Sequence, residues 1–321
     1  MRVPKWVVAL LLATVGISGK ALAWDEKGHL QVADIAWTRL NDKAKKEIAV
    51  ILMAGDPITR PASMSDTDVR AAFRKAAVFP DTIKFTKTTV YEDSIDAMNR
   101  MFFVTHPPDP KDNEDARCKT WHYYDIAIRD KGSHAPKESN ALVALARARY
   151  DLAAIEGAAS PDRKLQCWWL TWIAHLAGDL HQPLHCVSNH ETHAEGDAGG
   201  NLFTVKNPGS ERPGRLHGNW DGAITRAIAA EKAQGLPATF EDISQRWSQD
   251  YAPAPADAAN VDAMSWVRSG AALADTIVYV GIEADHAPTK GYDLTQRTLC
   301  MRQAVLGGAR LAAILNDTLG K

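Results

Sequence analysis

Apolar residues recur at intervals of three and four along most of this chain, which is the spacing of one face of an α-helix. The pattern predicts a helix soon after residue 29 and further helices over 42–54, 66–77, 138–156, 161–182, 221–233, 240–250, 260–283 and 293–317. The alternation typical of a strand is strongest at Leu202–Val205, and a short hairpin ending near Arg215 fits it. We therefore predict a mainly α protein with at most a short β-hairpin.

The predicted domain organisation depends on whether the sequence contains a linker or a repeat between these helices. No Ser/Gly linker, long charge run or internal repeat divides residues 24–321. Length alone would allow one large domain or two. Because nothing in the sequence marks a boundary, we predict a single compact multi-helix domain over residues 24–321.

The stretch Trp172–His185 carries the densest set of polar residues within an apolar helix pattern. Helical spacing places His175 and Asp179, which are four positions apart, on one face. Pro183 cannot donate a helical hydrogen bond, so the helix is expected to end there and to leave His185 at a new position. A single buried histidine is more often a core residue than a metal ligand. Two adjoining ligand sites are nevertheless compatible with this stretch.

The N-terminal segment has the three parts of a secretory signal. Arg2 and Lys5 precede an apolar run from Trp6 to Ile17, and Ala21–Ala23 has the small residues that signal peptidase cuts after. A membrane anchor is the alternative, but the run is shorter than the roughly 20 residues that span a bilayer. We predict that residues 1–23 are removed, that the protein is secreted or periplasmic, and that it keeps no stable membrane association. Trp24 would then be the mature N-terminus.

The charge balance bears on the class of partner. The chain has 37 Lys and Arg against 39 Asp and Glu, a formal net charge of −2. Loss of the signal would remove three positive charges, at Arg2, Lys5 and Lys20, and take the charge from −2 to −5. This is not the basic surface of a protein that holds nucleic acid by phosphate contacts alone. A polyanionic substrate would need positive charge from bound divalent metal ions.

The cysteine content suggests a disulfide framework. An exported protein with four cysteines is expected to form two disulfides. The cysteines are Cys118, Cys167, Cys186 and Cys300. Three pairings are possible and the sequence does not choose among them. Because no Cys-x-x-Cys spacing is present, we do not assign these residues to a zinc site.

Further histidines and carboxylates lie at the boundaries of the predicted helices. The candidate ligands are His29, His122, His175, His185 and His217 with Asp81, Asp179 and Asp221, together with the Trp24 amino group. Each one alone has an ordinary interpretation as a surface residue, a capping acid or part of an aromatic core. Together, imidazoles and carboxylates without cysteine suit catalytic zinc. Nine contributors are too many for one ion, so two or three ions are implied, an arrangement that serves phosphoester hydrolysis.

The same residues fall into a series of short motifs. These are an N-terminal Trp24 with His29 five positions later, F-P-D-x-x-K at 79–84, W-H-Y-Y-D at 121–125, H-L-A-G-D-L-H-Q-P-L-H at 175–185, G-G-N at 199–201 and L-H-G-N-W-D at 216–221. In this order they resemble the zinc-dependent single-strand nucleases and 3′-nucleotidases of the S1/P1 type, relatives of bacterial zinc phospholipase C. The resemblance spans essentially all of residues 24–321 and implies the mainly α fold of that group.

The resemblance also implies a ligand set for three zinc ions. A first ion would take Asp81, His122, His175 and Asp179. A second would take His185, His217 and Asp221. A third would take the Trp24 amino nitrogen and carbonyl oxygen, His29, and the second oxygen of Asp179.

The catalytic and binding roles implied by the resemblance fall on five residues. Asp81 would orient a water molecule that attacks phosphorus, and Lys84 would stabilise charge on the phosphoryl oxygens. Tyr123 would stack on a base, while Asp125 and Asn201 would form hydrogen bonds with it. The implied activity is endonucleolytic cleavage of single-stranded DNA and RNA to 5′-phosphate products, together with 3′-nucleotidase activity. We expect a monomer whose partners are single-stranded nucleic acid and nucleotides.

Two alternatives remain open from the sequence. One is a phospholipase C-like phosphodiesterase with the same fold and metals, and the other is an exported zinc-binding protein without catalysis. The loop between His185 and Gly199 is longer than the family pattern and carries His190 and His193. Four other histidines match no ligand position and are interpreted as surface or structural residues: His106, His134, His181 and His286.

Overall fold

The computed structural model describes residues 24–55, 59–83, 119–130, 132, 134–208 and 211–321. The predicted mainly α fold is confirmed within these residues. The predicted signal at 1–23 lies outside them, as do Lys84, His106 and Cys118. Nowhere in the described ranges is a helix both long enough and apolar enough to cross a membrane.

The helices of the described residues run through most of the chain. They are α1 (Glu26–Trp37), α2 (Asp42–Met53), α3 (Asp66–Ile83), α4 (Ala141–Glu156), α5 (Arg163–Asp179), α6 (Leu216–Asp221), α7 (Ala223–Ala233), α8 (Phe240–Asp250), α9 (Pro255–Ala259), α10 (Ala263–Leu273) and α11 (Lys290–Leu319). A 3₁₀ turn covers Pro183–His185, and a π-helical segment, Ala274–Val278, continues α10. The predicted helix over 260–283 is therefore shorter than expected.

Within the described residues, four short strands form two separate pairs. β1 (Ile126–Ile128) lies parallel to β2 (Val187–Asn189), with Ile126 opposite Val187 and Ile128 opposite Asn189. β3 (Thr204–Lys206) and β4 (Pro213–Arg215) are antiparallel, which confirms the predicted hairpin near Arg215. Neither β1 nor β2 was predicted, because a strand of three residues is too short to show a period-two pattern.

Two hydrophobic clusters meet along α1. Ala33 and Ala36 pack in a cluster with α2, α3, α4 and α5, whereas Val32 and Ile35 pack in a second cluster with α7, α8 and α11. A helix that is apolar on both sides is buried between its neighbours. In α5, every residue from Gln166 to Asp179 is buried. His29 of α1 and Asp179 of α5 meet in this buried region.

The structure corrects the end of the helix predicted over 66–77. α3 continues through Pro80 and ends at Ile83, so Asp81 lies in its last turn. Phe73, Ala76 and Phe79 are buried in the first cluster at helical spacing. Their packing offsets the backbone hydrogen bond that Pro80 removes.

The prediction of two disulfides is wrong. Cys186 and Cys300 are both buried free thiols, so two bonds among four cysteines are not formed. The Cys186 thiol points at the carbonyl oxygens of Leu180 and Gln182, both at 3.7 Å. Burial raises the pKa of both thiols above the ordinary range, which keeps them protonated. They behave as small core residues.

Candidate metal centre

Asp179 is the point at which three of the predicted ligands converge. Its Oδ2 lies 3.0 Å from Nε2 of His175 and 3.2 Å from Nδ1 of His122. Its Oδ1 lies 3.2 Å from Nε2 of His29. All four side chains are buried, and the rings of His29 and His175 stack with their centroids 4.0 Å apart. The predicted pairing of His175 with Asp179 on one helix face is present.

Asp81 reaches the same group from the end of α3. Its Oδ1 is 3.7 Å from His122 Nδ1 and 3.9 Å from His175 Nε2, while its Oδ2 is 3.9 Å from His29 Nε2. The structure thus brings the carboxylates of Asp81 and Asp179 to one set of imidazole nitrogens. Two carboxylates and three imidazoles in this arrangement have the donor chemistry of a site for more than one zinc ion.

A second group lies beside the first. Nε2 of His217 is 3.5 Å from Oδ2 of Asp221, and Nε2 of His185 is 3.8 Å from Oδ1 of Asp221. His217 and Asp221 share the short helix α6, which begins five residues before the helix predicted at 221–233. His185 follows Pro183 in the 3₁₀ turn, and its Nδ1 is 3.9 Å from Asp179 Oδ1. The two groups are therefore adjacent.

Backbone carbonyls hold three of the imidazoles in place. His175 Nδ1 donates to Ala77 O at 2.8 Å, His185 Nδ1 to His122 O at 2.7 Å, and His217 Nδ1 to Gly199 O at 2.6 Å. A ring that donates from Nδ1 carries its lone pair on Nε2 when neutral. Such hydrogen bonds are typical of metal-ligating histidines, since they fix the tautomer and the ring orientation.

Two glycines make room for the N-terminal ligands. A Cβ at Gly178 would lie 2.7 Å from Nδ1 of His29, and a Cβ at Gly28 would lie 2.7 Å from the Cβ of Trp24. Trp24 is fully buried, and the next amide, that of Asp25, donates to Asp221 O at 3.1 Å. The start of α1 is therefore packed between α5 and α6.

Burial and neighbouring charges shift the pKa values of the acids and imidazoles in the two groups. Burial favours the neutral form of Asp179, but the charges of His175 and His185 outweigh it and hold its pKa well below the ordinary range. Burial also opposes the charge of His185, yet Asp179 and Asp221 raise its pKa to about 9. Asp179 thus stays ionised in the interior and requires positive partners, which bound cations would also provide.

Buried polar atoms test whether metal ions fit these groups. Among the described residues, buried atoms of these groups that form no hydrogen bond include Nδ1 and Nε2 of His29, Oδ1 of Asp179, Nε2 of His185 and Oδ2 of Asp221. An unsatisfied buried polar atom costs about 1–3 kcal/mol, and such atoms are rare in native proteins. Carboxylate oxygens, and one nitrogen of each imidazole in its neutral form, have lone pairs that bind cations, so the residues present fit metal ions.

The predicted base-binding residues flank the second group. The amides of Tyr124 and Ile126 donate to the carbonyls of His185 and Cys186, at 2.8 and 3.0 Å, which fixes Asp125 between them. Burial raises the pKa of Asp125 to about 6. Near neutral pH this carboxyl therefore changes between a hydrogen-bond donor and an acceptor.

Tyr123 and Asn201 lie on segments that support ligands. The carbonyl of His122, the residue before Tyr123, accepts the hydrogen bond from His185, and the Tyr123 hydroxyl accepts one from Lys137 at 3.0 Å. Asn201 follows Gly200, whose carbonyl accepts from the His217 amide at 3.2 Å. Asn201 donates from Nδ2 to Ala198 O at 2.9 Å, and its Oδ1 has no hydrogen-bond partner.

The sequence analysis missed two residues that position this site. Gln182 Nε2 donates to Asp221 Oδ1 at 2.7 Å and so links the turn after α5 to α6. Gly178 leaves space for His29. A glycine inside a strongly helical pattern is a signal of close packing and could have identified Gly178. Nothing in the local sequence singles out Gln182.

Comparisons with known proteins show which family the chain resembles. The family model described as S1/P1 Nuclease matches residues 24–320. The chain is similar to Endonuclease 4 of Arabidopsis thaliana, with 25% identity over 325 aligned residues that cover 97% of this chain and 94% of the plant protein. It is also similar to Endonuclease 2 of the same plant, with 24% identity over 327 aligned residues that cover 98% and 95% of the two chains.

Proposed function

Because this chain belongs to the S1/P1 nuclease family, we propose that it is a secreted or periplasmic, zinc-dependent endonuclease. Its family makes it a nuclease, a hydrolase of phosphodiester bonds. The proposed substrates are single-stranded DNA and RNA, the proposed products end in 5′-phosphate, and 3′-nucleotidase activity is part of the proposal. The observation that carries it is the convergence of buried imidazoles and carboxylates on Asp179 and Asp221.

The described residues would hold three zinc ions. Asp81, His122, His175 and Asp179 would bind the first, and His185, His217 and Asp221 the second. Trp24 through its main-chain atoms, His29 and Asp179 would bind the third. When bound, zinc lowers the pKa of water and stabilises negative charge on the phosphoryl and leaving oxygens. Three such ions would also place a local charge of about +6 in an acidic protein, which a polyanionic substrate requires.

Asp81 is suited to orient the attacking water. It lies at the C-terminal end of α3, and both of its oxygens lie within 3.9 Å of ligand nitrogens. In this position the carboxylate accepts a hydrogen bond from water and aligns it with phosphorus. Lys84, three residues further and outside the described residues, would donate to the phosphoryl oxygens as they gain charge.

The preference for single strands would come from base recognition. Tyr123 offers a stacking surface, and base stacking contributes about 1–3 kcal/mol without sequence preference. Asp125 and Asn201 would hydrogen-bond to the edge of the stacked base. A base in a duplex is already stacked and paired, so it reaches this surface only after unpairing. The enzyme would therefore act on unpaired regions. We propose separately that it does so as a monomer.

The experiment uses the purified chain that begins at Trp24. Metal analysis is expected to find three zinc ions per chain, and acid-soluble nucleotides are expected from single-stranded DNA and RNA well before duplex DNA. End-group analysis should find 5′-phosphate. A chelator should abolish the activity and zinc should restore it. Hydrolysis of phosphatidylcholine instead of nucleic acid would contradict the proposal in favour of a phospholipase C-like enzyme.

Substitution of Asp81, a proposed zinc ligand that would also orient the attacking water, tests whether the site is catalytic. Asp81→Asn is expected to lower the nuclease rate by about 10²-fold or more, because the amide is a poorer hydrogen-bond acceptor for water. Asp68→Asn, on the first turn of the same helix, is the matched control and should leave the rate unchanged. Zinc binding with no nuclease activity in the unsubstituted protein would favour a non-catalytic zinc-binding protein and contradict the proposal.

A further inference from the structure

The carboxyl ends of β1 and β2 bring a second kind of polar cluster together, away from the buried ligands. Ile128 pairs with Asn189, and the amide of His190 donates to Ile128 O at 3.0 Å. In a parallel pair both strands end at the same edge, so the residues that follow them are neighbours. Asp130 follows β1 and His190 follows β2 at this edge.

His134 completes the cluster from the loop after β1. Its Nδ1 lies 2.9 Å from Oδ2 of Asp130, and its ring is 4.1 Å from the ring of His190, with 32° between the planes. One ligand atom from each of the three side chains lies within 4.8 Å of the other two. The side chains are only partly shielded, with 38% of His134 and 13% of Asp130 exposed. A cation could therefore enter from solvent.

The surrounding backbone holds these side chains in place. Arg129 has a φ of 52°, an uncommon value for a residue with a Cβ, and its guanidinium donates to Glu191 at 2.8 Å and to Asp275 at 2.8 Å. The bond to Glu191 links the loop after β1 to the loop after β2, and the bond to Asp275 links it to the π-helical segment. The Gly132 amide donates to Asp130 Oδ1 at 2.8 Å and so orients that carboxylate.

The ring of His190 presents one nitrogen for a ligand. Its Nδ1 donates to Ala194 O at 3.0 Å, so its Nε2 carries the lone pair in the neutral ring. Gly196, with a φ of 79°, leaves open the space beside Nε2, since a Cβ there would lie 2.8 Å from that atom. A ring that is anchored to the backbone through Nδ1 and can ligate through Nε2 is the arrangement found in metal-ligating histidines.

We propose that Asp130, His134 and His190 bind a further divalent transition-metal ion, with zinc as the expected occupant. Two imidazoles and one carboxylate are the donor set that zinc takes in open sites, with water at the remaining position. The ion would join the loop after β1 to the loop after β2. Those strands begin next to Asp125 and just after His185, so this outer ion would brace the two segments that carry the base pocket and the second ligand group.

The test is a zinc titration of the chain beginning at Trp24 with its buried metals already in place. Calorimetry and metal analysis after dialysis should find one further zinc ion per chain, beyond those of the buried groups. His134→Gln and His190→Gln should each weaken zinc binding at this site by roughly tenfold or more in calorimetry. The further ion should therefore be lost from both variants on dialysis. His286→Gln is the matched control, because His286 is an exposed histidine 3.8 Å from a carboxylate, that of Glu283.

Three outcomes would overturn the proposal: no further zinc bound by the unsubstituted chain, full retention of that zinc in both variants, or equal loss in His286→Gln. The last would mean ordinary surface binding. The readout is the difference in zinc content between matched chains, so it does not depend on nuclease activity. If the buried groups bound fewer ions than proposed above, the loss of one equivalent on substitution would still be measured.

Discussion

His29 and Asp179, which lie 150 positions apart in the sequence, meet with Nε2 and Oδ1 3.2 Å apart at the contact between α1 and α5. The other oxygen of the same carboxylate lies 3.0 Å from His175. A carboxylate has two oxygens with lone pairs and can bind a different cation with each. Asp179 therefore joins the N-terminal ligands to those of α3 and α5.

The first prediction concerns this shared carboxylate. Asp179→Asn removes the negative charge and one of the two acceptor oxygens, so zinc content should fall by about two of the three proposed equivalents. Nuclease activity should fall with it. Metal analysis and single-strand digestion measure both. Asp151→Asn, at a carboxylate with 8% exposure outside the site, is the control and should keep full zinc content.

A glycine inside α5 supplies the second prediction. Ala for Gly in a helix ordinarily stabilises by about 0.5–1 kcal/mol, but a Cβ at Gly178 would lie 2.7 Å from the His29 ring. Gly178→Ala should displace that ring, and a displacement of about 1 Å can lower the rate by about 10²-fold.

Gly218→Ala is the matched control for this prediction, because a Cβ at Gly218 would contact nothing within 4 Å. Metal content, single-strand digestion and thermal unfolding should be measured for both variants. Normal zinc content and activity in Gly178→Ala would contradict the assignment of His29 to a metal ion.

Contacts between residues close in the sequence could be predicted for this site, whereas contacts between distant segments could not. The pairs His175 with Asp179 and His217 with Asp221 follow from helical spacing alone. The meeting of α1 with α5 does not, because long-range packing is set by which buried faces fit together. The full set of ligands was predicted from the resemblance of the ordered motifs to a known family, because helical periodicity alone does not show which distant segments meet.

The failures have physical causes of the same kind. The helix predicted over 66–77 ended before Pro80, because proline favours a helix boundary. Burial of the flanking apolar residues instead continues α3 to Ile83. The thiols of Cys186 and Cys300 were expected in disulfides because the protein was predicted to be exported. Both instead fill space in the core, where a Cβ at Gly270 would lie 2.5 Å from the Cys186 sulfur. Sequence gives the number of cysteines, but packing decides what they contact.

The third prediction concerns the mature N-terminus. A free α-amino group has a pKa of about 7.7–8.0, so a part of it is neutral near pH 7 and able to bind zinc, whereas an amide nitrogen is not. A chain with one Ala added before Trp24 should therefore hold about one zinc equivalent less than the chain beginning at Trp24. Its single-strand activity should also be lower.

One Ala added after Lys321 is the control for that comparison. Equal zinc content in the two N-terminal forms would exclude Trp24 as an amine ligand, while leaving the other two proposed ions unaffected. Because Trp24 is fully buried, thermal unfolding of both forms should be recorded to separate loss of a ligand from loss of packing.

The last prediction concerns the buried carboxylate that joins three of the helices around the centre. Asp34 of α1 is fully buried and accepts hydrogen bonds from Arg70 at 2.6 Å, Arg74 at 2.7 Å and Ser244 at 2.6 Å. Removal of one partner from a buried ion pair costs about 3–5 kcal/mol, because the remaining charges lose their counterpart. Asp34→Ala should therefore lower the free energy of unfolding by about 3 kcal/mol, the lower end of that range, since both arginines are partly exposed.

Asp317→Ala is the control for this prediction. It removes an exposed carboxylate 2.8 Å from Lys321 and should change the free energy of unfolding by less than about 0.5 kcal/mol. Since α1 carries His29 and α3 carries Asp81, Asp34→Ala should also release zinc at a lower urea concentration than the control does. Unfolding followed by circular dichroism together with zinc release would measure both effects, and equal stability of the two variants would show that this network does not hold α1 against α3.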